Sequence, residues 1–313
     1  MTSTAAGAHG SAGTSAGPRG AQVRIKVPAT SANLGPGYDS FGLALGRYDE
    51  VYAEPADRLT ITVDGVGADS VPRDERHLVV RATQVAFDAL GEPLPGLRLH
   101  CVNTIPHGGG QGSSASAIVA GILIARGLLP DGDSRLPDAK VLELATAMEG
   151  HPDNVAPAIF GGLTVSWTRE GGEVVAIRRQ VHPDIQLLAF TAEAECSTEV
   201  ARDMLPATVP HQDAAANAAA SAVLLHALTT DPSYLLDGTV DRLHQGYRAP
   251  AMPASAALVT ELRAAGLAAV ISGAGPSVLA FSAGPVDAAD WHRPGFRASV
   301  LEVDDTGAVL TRL

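Results

Sequence analysis

The sequence contains very little lysine: of its 22 basic residues, only Lys26 and Lys140 are lysines. Acidic residues are more numerous than basic ones and give a formal net charge of -12. A protein that binds nucleic acid regardless of its base sequence needs a basic surface, so this class is excluded. Any site for an anionic ligand must therefore rely on backbone dipoles and on arginine, which grips carboxylate and phosphate groups bidentately.

Cysteine and long apolar runs are scarce as well. Cys101 and Cys196, the two cysteines, lie in neither a CxxC nor a metal-binding spacing, which indicates reduced thiols of a cytosolic protein. No uninterrupted apolar stretch approaches the roughly 18 residues that mark a membrane-spanning helix. The N-terminal residues lack the hydrophobic core of a secretory signal. We therefore expect a soluble, cytoplasmic protein that binds no membrane.

Length and composition predict two folded domains behind a short tail. A chain of 313 residues is long for one core, and a hydrophobic fraction of 46% is ample for packed interiors. Residues 1–21 are nearly all small or polar, so we expect a disordered tail. A strand-rich section begins after Gly161 and Gly162, and we place the boundary there, with domains over residues 22–165 and 166–313.

The spacing of apolar residues predicts short strands and helices in alternation. Helical spacing predicts helices over 77–90, 114–126, 138–149, 212–229 and 254–265. Alternating apolar residues predict strands over 23–27, where Pro28 ends the first strand, and over 48–54, 59–63 and 97–105. AAVISGAGPSVLAF, at 268–281, reads as two strands around a tight loop. The class is α/β or α+β.

The segment PHGGGQGSSAS, at 106–116, connects a predicted strand to a buried helix. Glycines let successive N–H groups point at one cluster of oxygen atoms, and a helix N-terminus adds partial positive charge, so the segment predicts a phosphate site. Ser113 and Ser114 stand where the P-loop pattern GxxxxGK[ST] has its lysine. Either hydroxyl could ligate Mg²⁺, which would offset phosphate charge. The alternative is that the glycines only turn the chain.

Three further loops rich in glycine and small polar residues follow regular elements. They are TSANLGPGYDS after the first strand, EGHPDN after a helix, and SGAGPS between two strands. Each one alone is also explained as a turn or a helix end. Four such loops at the ends of regular elements together indicate a ligand site.

Taken in order, PATSANLGPGYDS, PHGGGQGSSASA, EGHPDNVAPAIFGG and ISGAGPSVLAF resemble the homoserine kinase family of the GHMP small-molecule kinase superfamily. The resemblance covers residues 22–313. It implies an α+β, two-domain GHMP kinase fold with the active site in the interdomain cleft. It also implies the activity, which is transfer of the γ-phosphoryl group of ATP to the side-chain hydroxyl of L-homoserine for threonine biosynthesis.

The resemblance assigns the ATP phosphates to the glycine loop, that is, to Pro106, His107, Gly108, Gly109, Gly110, Gln111, Gly112, Ser113, Ser114, Ala115 and Ser116. It assigns Mg²⁺ to Ser114 and Glu143. Without the resemblance, Glu143 would be taken as a solvated acid, since it lies off the apolar stripe of its helix. ATP and Mg²⁺ are therefore the expected co-substrate and metal.

The remaining implied residues surround the amino acid and are Asn33, Asp39, His151, Asn154, Thr198, Arg202 and Arg248. The two arginines match the pair that holds the substrate carboxylate, and Thr198 matches a threonine close to the transferred phosphoryl group. We assign Asp39, Asn33 and Thr198 catalytic roles, with Asp39 either anchoring the ammonium or accepting the hydroxyl proton. No aspartate–lysine pair is evident, which favours catalysis by alignment.

Two alternatives stay open. One is another GHMP kinase, although Thr30 and Ser31 stand where the diphosphocytidyl-methylerythritol kinases carry a lysine. The other is a catalytically silent, ligand-binding relative, although the glycines, Asp39 and the arginines are retained. Gln111 replaces the leucine of the usual GLGSS loop, and its effect is not predicted. The expected partners are small molecules, and the sequence leaves a homodimer open.

Overall fold

The structure is a computed structural model that describes residues 22–194 and 198–313. The predicted disordered tail, 1–21, and Cys196 lie outside the described residues. The described chain contains two β-sheets with helices packed on them. Its strands are β1 Val23–Ala32, β2 Phe41–Ala56, β3 Thr60–Gly65, β4 Gly96–Asn103, β5 Leu163–Thr168, β6 Val174–Arg179, β7 Gln186–Ala192, β8 Ala268–Ile271, β9 Val278–Ser282, β10 Phe296–Leu301 and β11 Val309–Arg312.

Ten α-helices and three short 3₁₀ helices join these strands within the described ranges. The 3₁₀ helices are Pro232–Tyr234, Ala249–Ala251 and Ala288–Trp291. The α-helices are α1 Leu78–Leu90, α2 Ser113–Leu128, α3 Gly132–Arg135, α4 Asp138–Glu149, α5 Pro152–Phe160, α6 Thr198–Asp203, α7 His211–Thr229, α8 Leu235–Gly238, α9 Gln245–Arg248 and α10 Pro253–Ala264.

The first sheet has seven strands built around the long strand β2. Its path runs β11-β1-β2-β4-β3, and β5 pairs with the first residues of β2 and with β6. Most neighbours are antiparallel, whereas β3 and β4 run parallel. Apolar residues of β1 to β4 pack against α1, α2, α4 and α5 in one core. Helix α2 is buried along most of its length, as its nearly continuous apolar sequence predicts.

The second sheet, in the order β10-β7-β9-β8, is antiparallel and apolar on both faces. Successive side chains of β7 point to opposite faces of this sheet. Leu187 and Ala189 pack towards the first sheet and α7. Leu188 and Phe190 point the other way, into a core with α10. A shared core therefore joins the two sheets.

The structure corrects two sequence predictions. Pro28 does not end β1, which continues to Ala32 after a register shift between Pro28 and Ala29. The chain does not change sheets at residue 165, because β5 and β6 still belong to the first sheet and β11 returns to pair with β1. The segment EGHPDN, for which a helix end and a ligand loop were both open, ends α4 and begins α5. The predicted helices are otherwise confirmed, with ends within about two residues.

None of the helices in the described ranges is both long and apolar enough to cross a membrane. Cys101 is a buried core residue of β4, as its alternating apolar neighbours predict.

Candidate active site

The four loops singled out in the sequence line one cavity of about 450 Å³. The glycine loop and the start of α1 line the cavity, and the ends of α4, α6 and α9 contribute further side chains. Residues from each loop and from both arginine-bearing helices line it, including Asn33, Asp39, Pro106, His107, Gly108, Gly109, Gly110, Gln111, Gly112, Ser113, Ser114, Ser116, Glu149, His151, Asp153, Asn154, Arg202, Arg248 and Gly273. Ala115, by contrast, is buried in α2.

The glycine loop fits so tightly that two of its positions accept only glycine. Gly110 and Gly112 have φ angles of 73° and 70°, in the left-handed region. A Cβ atom on Gly112 would lie 2.0 Å from Thr30 Oγ1, and one on Gly110 would lie 2.2 Å from the Ser272 carbonyl oxygen. Helix α2 starts directly after this segment, so the first amides of a sixteen-residue helix border the cavity. This is the geometry of an anion site that needs no lysine.

Ser114 and Glu149 form an oxygen-rich pair beside the loop. The Ser114 hydroxyl donates to Glu149 Oε1 at 2.6 Å. Burial raises the pKa of Glu149, and the hydrogen bond from Ser114 opposes that rise only in part. A hydroxyl and a carboxylate are oxygen donors of the kind that Mg²⁺ prefers, so this donor set suits the metal.

The structure does not bring Glu143 to this site. Its exposed carboxylate accepts from Lys140 Nζ at 2.6 Å, on the outer side of α4. Glu149 lies six residues later, on a different face of the helix, and is the acid next to Ser114. Glu149 was visible in the sequence as the first residue of EGHPDN, but nothing there distinguished it from Glu143.

The 33–39 loop is held by its asparagine. Asn33, Leu34 and Asp39 all have positive φ angles, which asparagine and aspartate tolerate better than most residues. The Asn33 side chain accepts the Asp39 N–H at 2.9 Å and donates to the Gly273 carbonyl at 2.9 Å. Its amide therefore fixes the loop and connects it to SGAGPS.

Asp39 and Arg202 form an ion pair at the edge of the cavity. Arg202 donates to the two Asp39 carboxylate oxygens at 2.8 and 3.2 Å, and to the Tyr38 hydroxyl at 3.1 Å. More than a third of each charged side chain stays exposed. The sequence indicated both charges but not their pairing.

Arg248 is almost fully buried, with 2% of its surface exposed. Its Nε donates to the Ala201 carbonyl at 3.1 Å, and its guanidinium lies 5.4 Å from the centre of the Tyr38 ring. Its Nη1 lies 3.2 Å from His244 Nδ1, while His244 Nε2 lies 2.8 Å from the Gly35 carbonyl. Since that carbonyl can only accept, Nε2 carries the proton and Nδ1 accepts from Arg248. Burial lowers the pKa of His244, which agrees with a neutral ring.

Tyr38 and His244 are residues that the sequence reasoning missed. Tyr38 stands inside the quoted segment TSANLGPGYDS, and His244 lies four residues before Arg248. Their role depends on contacts with Arg202 and Arg248, which no local pattern reveals.

His151 and Asn154 flank the N-terminus of α5. His151 Nδ1 lies 2.5 Å from Asp153 Oδ1. Burial alone would lower the pKa of His151, but the hydrogen bond and the charge of Asp153 outweigh it and raise the pKa. Asn154 Oδ1 accepts from the Thr30 hydroxyl at 2.9 Å. Helix α6 begins at Thr198, whose side chain lies outside the described part of the chain.

Comparison with known proteins agrees with this architecture. Residues 77–162 match the family model described as the GHMP kinases N terminal domain, and residues 224–290 match the GHMP kinases C terminal model. A homoserine kinase of Streptomyces avermitilis is 53% identical over 94% of this chain and 97% of its own. One from Streptomyces coelicolor is 51% identical over 95% of this chain and 98% of its own.

Among solved structures, homoserine kinase from Cytophaga hutchinsonii superposes with a TM-score of 0.76, covering 93% of this chain and 97% of that one. At 23% identity it supports the fold alone. The α+β, two-domain GHMP kinase fold is thus confirmed. By the extent and identity of its matches to the two Streptomyces proteins, the chain belongs to the homoserine kinase family of the GHMP kinases.

Proposed function

We propose that the protein transfers the γ-phosphoryl group of ATP to the side-chain hydroxyl of L-homoserine and releases O-phospho-L-homoserine, for threonine biosynthesis. The observation that carries this proposal is the shared cavity. It is lined by the glycine loop and also by Asp39, Arg202 and Arg248. A polyphosphate and a zwitterionic amino acid can therefore meet within one enclosure.

The polyphosphate binds to the glycine loop and to the start of α2. Neither lysine of the chain belongs to the cavity lining. Backbone N–H groups and the helix dipole provide the positive potential instead. The apolar end beside Val51, Val71 and Val79 receives the nucleoside.

Ser114 and Glu149 would hold Mg²⁺, and both keep oxygen atoms at the cavity. When bound, the ion supplies charge neutralisation for the phosphate oxygens. Glu149 replaces Glu143 in this role because Glu143 is exposed and engaged with Lys140.

When homoserine binds, the Asp39–Arg202 ion pair opens and each of its two charges pairs with the opposite charge of the substrate. The substrate ammonium pairs with Asp39, and the substrate carboxylate pairs with Arg202 and with the buried Arg248. The exchange keeps every charge compensated, so neither side chain is left alone when the substrate enters. Tyr38, which contacts both arginines, keeps the two guanidinium groups on the same side of the cavity.

Catalysis then depends on alignment of the hydroxyl with the γ-phosphate. Since Asp39 is bound by a guanidinium, we assign it the role of anchor and not of base. His151 and Asn154 line the cavity close to α5, and we propose that they orient the acceptor. Thr198 is proposed to approach the transferred phosphoryl group, on the strength of the family resemblance. Positioning and charge compensation are what phosphoryl transfer chiefly requires.

The test is a coupled ADP-release assay with Mg-ATP and, in separate reactions, L-homoserine, mevalonate, galactose and L-threonine. We expect turnover with L-homoserine that exceeds turnover with every other acceptor. Turnover with mevalonate but not with homoserine would reject the substrate and keep the fold. Absence of ADP release with all four acceptors, despite tight ATP binding, would favour the silent, ligand-binding alternative.

A further inference from the structure

Gln111, which replaces the leucine of the usual superfamily loop GLGSS, has a buried side chain with two hydrogen bonds. Only 2% of its surface is exposed. Its Oε1 accepts from Arg47 Nη1 at 2.6 Å, and its Nε2 donates to Thr191 Oγ1 at 2.8 Å. A leucine at this position could make neither bond.

Within the ranges that the structure describes, Arg47 donates hydrogen bonds to neutral oxygen atoms only. Besides Gln111, its guanidinium donates to Thr191 Oγ1 at 3.3 Å and, at the limit of 3.5 Å, to Ser299 Oγ. Burial lowers the pKa of Arg47, and the nearby charge of Arg297 lowers it further. Arginine stays protonated even so, which leaves a partly buried positive charge without a described carboxylate partner.

These contacts join the glycine loop to both sheets. Arg47 belongs to β2 in the first sheet, whereas Thr191 and Ser299 belong to β7 and β10 in the second. Gln111 stands between them, as part of the loop that connects β4 to α2. The position of the loop therefore depends on how the two sheets meet.

The backbone around Gln111 is fixed as well. The Thr30 N–H donates to the Gln111 carbonyl at 3.1 Å, and Ser272 Oγ donates to the Gly110 carbonyl at 2.6 Å. Because Gly110 and Gly112 are in close contact with other atoms on either side, the segment has little room to shift. A change at the Gln111 side chain is thus transmitted to the amides at the start of α2.

We propose that Arg47 and Gln111 are positioning residues for nucleotide binding. Arg47 holds Gln111, and Gln111 fixes the glycine loop against the second sheet. The Arg47 guanidinium, which has no carboxylate partner in the described ranges, stands behind the loop. This arrangement would serve the purpose that the lysine serves in a P-loop. The inference rests on the proposed use of this loop by the phosphates of ATP.

The test is equilibrium dialysis of ATP and of adenosine against wild-type protein, Gln111→Leu, Arg47→Met and the double variant. Arg169→Met is the matched control, because Arg169 is an exposed arginine paired with Glu173. We expect each single variant to weaken ATP binding about tenfold, as loss of a hydrogen bond to a charged group does, with adenosine binding changed less than about twofold. The double variant should bind ATP no more weakly than Arg47→Met, because the two residues act through one contact.

Equal losses for ATP and adenosine would show a merely structural effect and overturn the proposal, as would unchanged ATP binding in Arg47→Met. Gln111→Leu restores the usual residue of the superfamily, so it keeps the test informative if Arg47→Met does not fold. Wild-type protein that does not bind ATP would instead overturn the proposed function, together with this inference.

Discussion

Glu149 and Glu143 lie on the same helix and provide a matched pair of variants. Glu149→Gln keeps the shape of the side chain and an oxygen that can accept from Ser114, but removes the negative charge. Glu143→Gln makes the same chemical change at an exposed position, where the carboxylate pairs with Lys140. If Glu149 holds the metal, Glu149→Gln lowers the catalytic rate and Glu143→Gln does not.

The expected magnitudes differ widely. Charge stabilisation by a metal ion contributes several kcal/mol, and losing about 2 to 4 kcal/mol of it lowers kcat by roughly 30- to 1000-fold. An exposed ion pair contributes about 0.5 kcal/mol at most, so Glu143→Gln should change stability slightly and kcat not at all. Glu149→Gln should not destabilise the fold, because burial raises the pKa of this carboxyl group and a neutral amide is less costly to bury.

The assay measures kcat with L-homoserine across a series of Mg²⁺ concentrations, together with urea unfolding of each variant. For Glu149→Gln we expect the Mg²⁺ concentration at half-maximal rate to rise and the unfolding midpoint to stay. An intact kcat in Glu149→Gln would refute the reasoning. So would a loss of activity in Glu143→Gln at the same Mg²⁺ concentration.

Three further predictions concern single residues. Asp39→Asn should raise the KM for homoserine at least about tenfold and leave kcat within about threefold, because the substitution removes an ionic anchor of the substrate. Steady-state kinetics that show a large loss of kcat with little change in KM would instead make Asp39 the base. Burial raises the pKa of Cys101 to about 12. In the folded Cys196→Ser variant, where Cys101 is the remaining cysteine, iodoacetamide should therefore not label this thiol at about pH 8. Labelling of Cys101 before the protein unfolds would contradict this prediction. Burial also raises the pKa of Asp49 in the folded protein above its pKa in the unfolded chain. The wild-type fold therefore loses stability as the pH rises from the lower of these two pKa values through the higher one. The stability of Asp49→Asn relative to wild type should therefore grow between about pH 4 and pH 7 in urea titrations, and a shrinking difference would show the sign to be wrong.

Local sequence signals predicted the regular elements that carry the site. The apolar stripe of α4 and its end at Gly150, the buried α2, and the strands around SGAGPS are confirmed because each depends on neighbours within a few residues. The end of β1 at Pro28 was wrong, since a register shift lets the strand continue past the proline. The sheet pairing of β5 and β11 depends on contacts distant in sequence, which periodicity does not encode.

The site was predictable as a set of loops but not as a set of contacts. Asp39 and Arg202 are separated by 163 positions, and their pairing follows only from the fold. The sequence alone does not show which of Glu143 and Glu149 lies at the site. Helical periodicity tells which face of the helix a residue occupies, but it does not tell which neighbouring loop that face contacts. Gln111 was noticed as an exception, yet its partners Arg47 and Thr191 lie on strands of two different sheets.

The four loops are joined to one another by hydrogen bonds, so the position of each loop depends on the positions of the others. Asn33 connects the 33–39 loop to Gly273, Ser272 connects SGAGPS to Gly110, and Thr30 connects the first strand to Asn154. A displacement of any loop must therefore move the groups proposed to bind the phosphates relative to those proposed to bind the acceptor. Since phosphoryl transfer depends on alignment within fractions of an ångström, a variant such as Asn33→Ala should lower kcat although its side chain donates to no substrate atom. A loss of kcat in Asn33→Ala would favour alignment by the linked loops over a dedicated catalytic base.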